Sequence, residues 1–150
     1  MDKRLFFLIN MAQHKLFKFV DSKSEELLGV SVTQVAAMLF IEKNEGCQQK
    51  ELCAALGLNK PAVTGLANRM KKNGLLIRKA CEEDDRASRL YLTDSAKEKL
   101  PSVYPLLKEV NQALCEDFTK EEIEVVIRFL NRLMTRFDYT LQIPSLSLKP

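Results

Sequence analysis

The stretch that decides this chain runs from Leu58 to Lys79: LNKPAVTGLANRMKKNGLLIRK. Asn59 carries an oxygen able to cap a helix, and Pro61 falls in the first turn, where its missing N–H costs nothing. Gly74, just past Asn73, supplies a left-handed stop. A helix is therefore predicted from Lys60 to about Asn73. Upstream, Gln48 to Leu56 predicts a shorter helix, and Gly57-Leu58-Asn59 makes the turn between the two. A near-perpendicular helix pair tolerates only certain side chains at its crossing. Counting back from Gly57, Cys53 faces the second helix most closely and is small. Leu52 and Leu56 pack from the first helix, Leu58 fills the turn, and Val63 and Leu66 pack from the second. Lys60, Ala62, Thr64, Gly65, Asn68, Arg69 and Lys72 remain on the outer face. This is a helix-turn-helix in which residues near the start of the second helix suit base edges in a major groove, while Arg69 and Lys72 suit phosphates.

The charge pattern points the same way. Between Leu52 and Cys81 stand six cations (Lys60, Arg69, Lys71, Lys72, Arg78, Lys79) and no carboxylate, while the whole chain carries a formal charge of +3. Everything outside the window is therefore net negative. Positive charge gathered on one segment is the footprint of a polyanion partner, because neutralising phosphates releases condensed counterions.

Beyond the helix, Leu75 to Cys81 (LLIRKAC) and Ser88 to Thr93 (SRLYLT) have strand character, with Leu90 and Leu92 on one face and Arg89 and Tyr91 on the other. The polar run EEDDRA between them is predicted as the tip of a hairpin wing. Arg86 and Arg89 are the wing's candidate DNA contacts, since a narrow minor groove accepts an arginine. Asp84 is placed to orient Arg86 through a charge-assisted bond, provided that Glu82 and Glu83 point away from phosphate. A solvated loop is the alternative.

The flanks read as helix. Leu5, Leu8, Ile9, Ala12, Leu16 and Val20 recur at helical spacing from Lys3 to about Leu28, and Phe6, Phe7 and Phe17 widen the stripe. A helix greasy on more than one side is buried between elements or between subunits. Thr33 is expected to cap a second helix, Gln34 to Asn44, with Val35, Met38, Leu39 and Ile41 inward. Helix resumes at Asp94, and Pro101 and Pro105 predict a bend near Leu100 to Tyr104 before it runs on to about Asp117. Thr119 to Glu122 is a capping box. It opens a last helix to about Tyr139, with Ile123, Val126, Ile127, Leu130, Leu133, Met134 and Phe137 along one side. The tail LQIPSLSLKP has no strong period.

At 150 residues the chain is one domain's length, enough to bury roughly 70% of its unfolded surface. Its longest apolar runs, such as Val35 to Ile41, fall far short of the ~20 residues a membrane span needs. The opening MDKRLFFLINMAQHK is interrupted by Asn10, Gln13, His14 and Lys15 and lacks a cleavage site, so a cytoplasmic chain with no membrane partner is expected. Cys47, Cys53, Cys81 and Cys115 match no zinc template and His14 is the sole histidine, so no metal or other cofactor is expected. The cysteines read as free thiols, with redox sensing by one of them as the alternative. No nucleophile–base grouping, phosphate-binding glycine loop or paired-carboxylate site is apparent, which argues against an enzyme.

Two helices, a helix-turn-helix, a wing bearing D-x-R as Asp84-Asp85-Arg86, then Leu92-Thr93 and a long helix pair: this order resembles the MarR family of bacterial transcriptional regulators. The resemblance covers about Val30 to Leu133, with Met1 to Gly29 fitting by position and pattern. Ala96 stands where the family commonly has glycine, harmlessly in a helix. Pro101 and Pro105 are less usual and put the straightness of the fifth helix in question. The resemblance implies a mainly α, winged helix-turn-helix fold of six helices plus a small antiparallel hairpin. It also implies one MarR-like domain over residues 1–150, with 30–95 as the DNA-binding region, 1–29 and 96–140 as the helical dimerisation region, and 141–150 as a tail. The first, fifth and sixth helices would interlock in an obligate homodimer, with recognition helices about 34 Å apart on a pseudo-palindromic operator. The implied function is that of a sequence-specific double-stranded-DNA-binding regulator, typically a repressor released by a small aromatic or anionic effector. His14, Phe17 and Met38, between the first two helices, are candidates for an effector pocket, with plain core or interface as the alternative. The family's oxidation-sensing branch carries its cysteine in the first helix, where this chain has none. A winged-helix module that binds protein rather than DNA is the competing class.

Overall fold

A computed structural model describes residues 3–81 and 84–138, the side chains of 81 and 84–87 excepted. Glu82, Glu83 and the tail from Tyr139 lie outside the described residues. Among the described residues six helices and three short strands follow in the order α1 (Leu5–Leu28), α2 (Val32–Lys43), β1 (Cys47–Gln48), α3 (Gln49–Leu56), α4 (Lys60–Lys72), β2 (Leu76–Cys81), β3 (Asp84–Leu92), α5 (Asp94–Cys115) and α6 (Lys120–Arg136). The chain divides into two compact units, one running to Lys108 and the other starting at Glu109. Among the described residues no single helix is long and apolar enough to cross a membrane.

In the first unit the corner between α1 and α2 is tied by polar bonds. Ser24 Oγ, fully buried, donates to the Val30 carbonyl at 2.6 Å, and the Val32 N–H donates to Asp21 Oδ1 at 2.9 Å. Ser31, not Thr33, caps α2, accepting from the Gln34 N–H. Both hydroxyls sit before the same apolar run. Ser31 takes the role because its backbone is extended, as a cap requires, while the helix already includes Val32. Val35, Ala37, Met38 and Ile41 of α2 form the core with Leu52 of α3, Val63, Leu66, Ala67 and Met70 of α4, Leu76, Leu90 and Leu92 of the sheet, and Leu100 and Val103 of α5.

The sheet has one strand more than expected. β1 pairs antiparallel with β3 through Cys47↔Leu90 and Gln48↔Arg89, giving the order β1-β3-β2. Gly46 enables it. Its φ is +85°, and an added β-carbon would stand 3.1 Å from the Tyr91 hydroxyl, so backbone and neighbour both require glycine. β3 also starts earlier than expected, at Asp84, taking in residues assigned to a loop tip. Ala80 pairs with Ser88 but Cys81 with Asp84, so Asp85 to Ala87 form a bulge.

α5 runs unbroken through both prolines. The prolines stand four apart on an exposed face, so the carbonyls they leave unbonded can be hydrated, while Ala96, Leu100, Val103 and Leu106 hold the opposite face in the core. Lys99 Nζ donates to the Leu28 carbonyl and the Tyr104 hydroxyl to Glu42, each at 2.9 Å. Thr93 fixes the helix's start: its hydroxyl donates to the Gly74 carbonyl at 2.6 Å and accepts from the Ala96 N–H at 3.1 Å. Thr93→Ala removes both bonds and is expected to cost about 1–2 kcal/mol, read as a melting temperature lowered by roughly 2–8 °C.

The second unit contains the end of α5 and α6. The capping box at Thr119 and Glu122 forms as the sequence predicts. α6 ends at Arg136, and none of its residues is buried.

Candidate nucleic-acid interface

The helix-turn-helix is built by local bonds that the sequence announces. Gly57 adopts a left-handed conformation (φ +64°) to stop α3, and its N–H and that of Leu58 both return to the Cys53 carbonyl. Asn59 then caps α4 by accepting from the Ala62 N–H at 2.9 Å, with Pro61 in the first turn. Gln49, the first residue of α3, donates from Nε2 to the Thr64 hydroxyl at 3.3 Å and so links the two helices.

α4 is sharply two-sided. Val63, Leu66, Ala67 and Met70 are buried. Lys60, Ala62, Asn68, Arg69 and Lys72 are exposed, with Thr64 and Gly65 half-buried beside them. No carboxylate belongs to this face, and among the described residues none of its cations forms an ion pair; the pairs seen, Lys23–Glu26 and Lys97–Glu45, lie elsewhere. The seven α4 residues singled out from the sequence therefore lie on one continuous surface whose charge is unneutralised. An unpaired basic face beside an apolar anchor is suited to a polyanion.

The wing is divided. The backbone of Asp84 and Arg86 belongs to β3, but their side chains lie outside the described residues. Arg89, a candidate DNA contact, donates from Nη1 to the Gly46 carbonyl at 3.0 Å. Pairing of β1 with β3 brings the Gly46 carbonyl, just before β1, within reach of the outward face of β3. On that face Lys79 Nζ stands 4.7 Å over the Tyr91 ring. Arg78, another cation of the window, has Nε and Nη2 buried without a hydrogen-bond partner among the described residues, an arrangement that costs stability and raises the local positive potential.

Of the candidate effector-pocket residues, Met38 is fully buried in the core, whereas His14 and Phe17 are exposed on α1. A cleft of about 680 Å³ opens between α2, β1 and α3, with Phe40, Asn44, Cys47, Glu51, Ala55 and Arg89 on its walls. Burial pushes the Cys47 thiol up from its ordinary pKa, and the Glu51 and Glu45 carboxylates push it further, so this cysteine stays protonated and unreactive near neutrality. Cys53 is half-buried at the helix crossing and Cys115 exposed; both are free.

With this geometry in place, comparison with known proteins is informative. A MarR family model matches residues 28–87, the span holding α2, the helix-turn-helix and most of the sheet. The transcriptional repressor MprA of Escherichia coli (strain K12) is 25% identical over 135 residues, covering 87% of this chain and 77% of that protein. Among solved structures, the S. aureus MepR–DNA complex superposes with a TM-score of 0.81 at 20% identity, covering 92% of this chain and 99% of that one. A MarR variant from E. coli complexed with operator DNA gives a TM-score of 0.80 at 19% identity, covering 89% and 99%. The structural likenesses establish a winged helix-turn-helix fold.

Proposed function

We propose that the chain is a member of the MarR family, whose model matches residues 28–87, and that it is a sequence-specific regulator of transcription that binds double-stranded DNA as a homodimer. The observation that carries the proposal is the two-sided α4, which seals its apolar face into the core and leaves Lys60, Arg69 and Lys72 exposed and unpaired. In this reading Lys60, Ala62, Thr64 and Asn68, arranged around Gly65, meet base edges, Lys72 meets phosphate, and Arg86 at the wing, oriented by Asp84, enters the flanking minor groove. Arg89, braced by the Gly46 carbonyl, is the wing's second DNA contact. Residues 30–95 form the DNA-binding region and residues 1–29 and 96–140 the dimerisation region. The chain works in the cytoplasm by binding rather than catalysis, and represses until a small aromatic or anionic effector favours a different spacing of the two recognition helices.

The competing reading, a protein-binding module, requires an apolar patch on the outer face of α4. The exposed residues there are chiefly Lys60, Asn68, Arg69 and Lys72. Titration of the protein against duplex DNA at several salt concentrations tests the proposal. Lys72→Ala is expected to weaken binding to all sequences alike and to flatten the slope of log K against log salt by roughly one unit. Absence of salt-sensitive binding to any duplex would overturn it.

A further inference from the structure

Gly65 occupies the middle of the outer face of α4, and nothing inside the chain asks for glycine there. Its φ is not positive, so conformational freedom is not the reason, and a glycine in a helix interior is disfavoured relative to alanine. No core side chain would meet a β-carbon at this position either. The atom it would meet is Nη1 of Arg69, at 3.3 Å. Arg69 is one turn further on, and helical side chains lean toward the N-terminus, so its guanidinium lies over the space that residue 65 leaves empty. Arg69 is exposed and forms no ion pair among the described residues, so no carboxylate holds it in that pose.

We propose that Gly65 is a positioning residue for Arg69. By leaving the centre of the reading face vacant, it lets the Arg69 fork lie across that face and reach a base edge, rather than the flanking phosphate to which its place in the sequence assigns it. A guanine, with its paired O6 and N7 acceptors, is the base that a planar guanidinium recognises bidentately. The inference rests on the DNA-binding reading above and adds which residue reads sequence and what permits it.

The test begins by selecting duplexes from a random-sequence pool with the unaltered protein. Gly65→Ala, Arg69→Lys and the double variant are then titrated against a selected and an unselected duplex over a range of salt. Gly65→Ala leaves the charge unchanged and favours the helix. It is expected to keep its affinity for the unselected duplex and its salt slope, to melt at a higher temperature, and to lose roughly tenfold of its preference for the selected site. Arg69→Lys, which keeps the charge but not the fork, is expected to lose preference at the same base pairs, and the double variant to lose no more than Arg69→Lys alone. An unchanged preference in Gly65→Ala, or losses that multiply in the double variant, overturns the inference while leaving DNA binding intact. A parent protein that binds every duplex alike has no base preference to lose, and overturns both.

Discussion

Leu130→Glu is expected to convert a dimer into a folded monomer and to reduce affinity for a two-half-site duplex by at least a hundredfold. None of the residues of α6 is buried, although Val126, Ile127, Leu130, Met134 and Phe137 form an apolar stripe along it. Seventeen residues of helix are marginal on their own in water, where most helical stability comes from packing an apolar face. α1 repeats the pattern: Phe6 is 73% exposed and Phe7 62%, with Leu5, Leu8, Met11 and Phe19 also open. Each such side chain gains about 1.5–3 kcal/mol when fully buried, so two helices left this open call for a partner surface. A carboxylate at Leu130 would enter that interface without a counter-charge, at a cost of several kcal/mol, which weakens dimerisation by a thousandfold or more. A monomer then carries one α4 instead of two and loses the effective concentration that joins the half-sites. Light scattering at micromolar protein reads the assembly, and titration against duplexes with one and two half-sites reads the consequence. Circular dichroism close to the parent's would show that α2 to β3 still fold. A variant that stays dimeric and binds both duplexes like the parent would show that α6 is not the interface.

Where the sequence was legible, the signals were local. The turn at Gly57, the cap at Asn59, the proline at Pro61 and the capping box at Thr119 each act within four residues of chain, and each forms as its chemistry demands. What was missed depends on partners distant in sequence. β1 is two residues long, too short to show a period, and exists because Cys47 and Gln48 meet Leu90 and Arg89 across more than forty residues. The bond from Arg89 to the Gly46 carbonyl follows from that pairing and is likewise invisible to local spacing. The unbroken course of α5 has a related cause: proline penalties are local, whereas this i,i+4 pair falls on an exposed face opposite a core built by other elements. Met38 lies in the core while His14 and Phe17 lie on the exposed surface of α1, a difference that helical position alone does not specify.

The second large effect is the inward counterpart of Gly65. Leu66→Ala is expected to destabilise the protein by about 2–5 kcal/mol and to lower its melting temperature by roughly 5–20 °C at fixed protein concentration. Leu66 is 1% exposed and sits in the core with Leu52, Val63 and Met70. Truncation removes its transfer free energy and leaves a cavity that the surrounding rigid elements close only in part. Met70 is the neighbour best able to adapt, since its thioether is flexible, which places the expected loss below that of a fully rigid site. A domain of this size has about 5–15 kcal/mol in hand, so the variant still folds at low temperature. Its outer face is untouched, and DNA affinity measured well below the melting transition is expected to match the parent's. Leu66→Met, which conserves volume, should cost less than about 1.5 kcal/mol. Adjacent positions thus respond with opposite signs: alanine at residue 65 raises the melting temperature and loses sequence preference, while alanine at residue 66 lowers it and keeps that preference. An unchanged melt for Leu66→Ala would mean that this side chain is not in the core. The helix would then be rotated about its axis, and the cationic face that presents Lys60, Arg69 and Lys72 would point elsewhere.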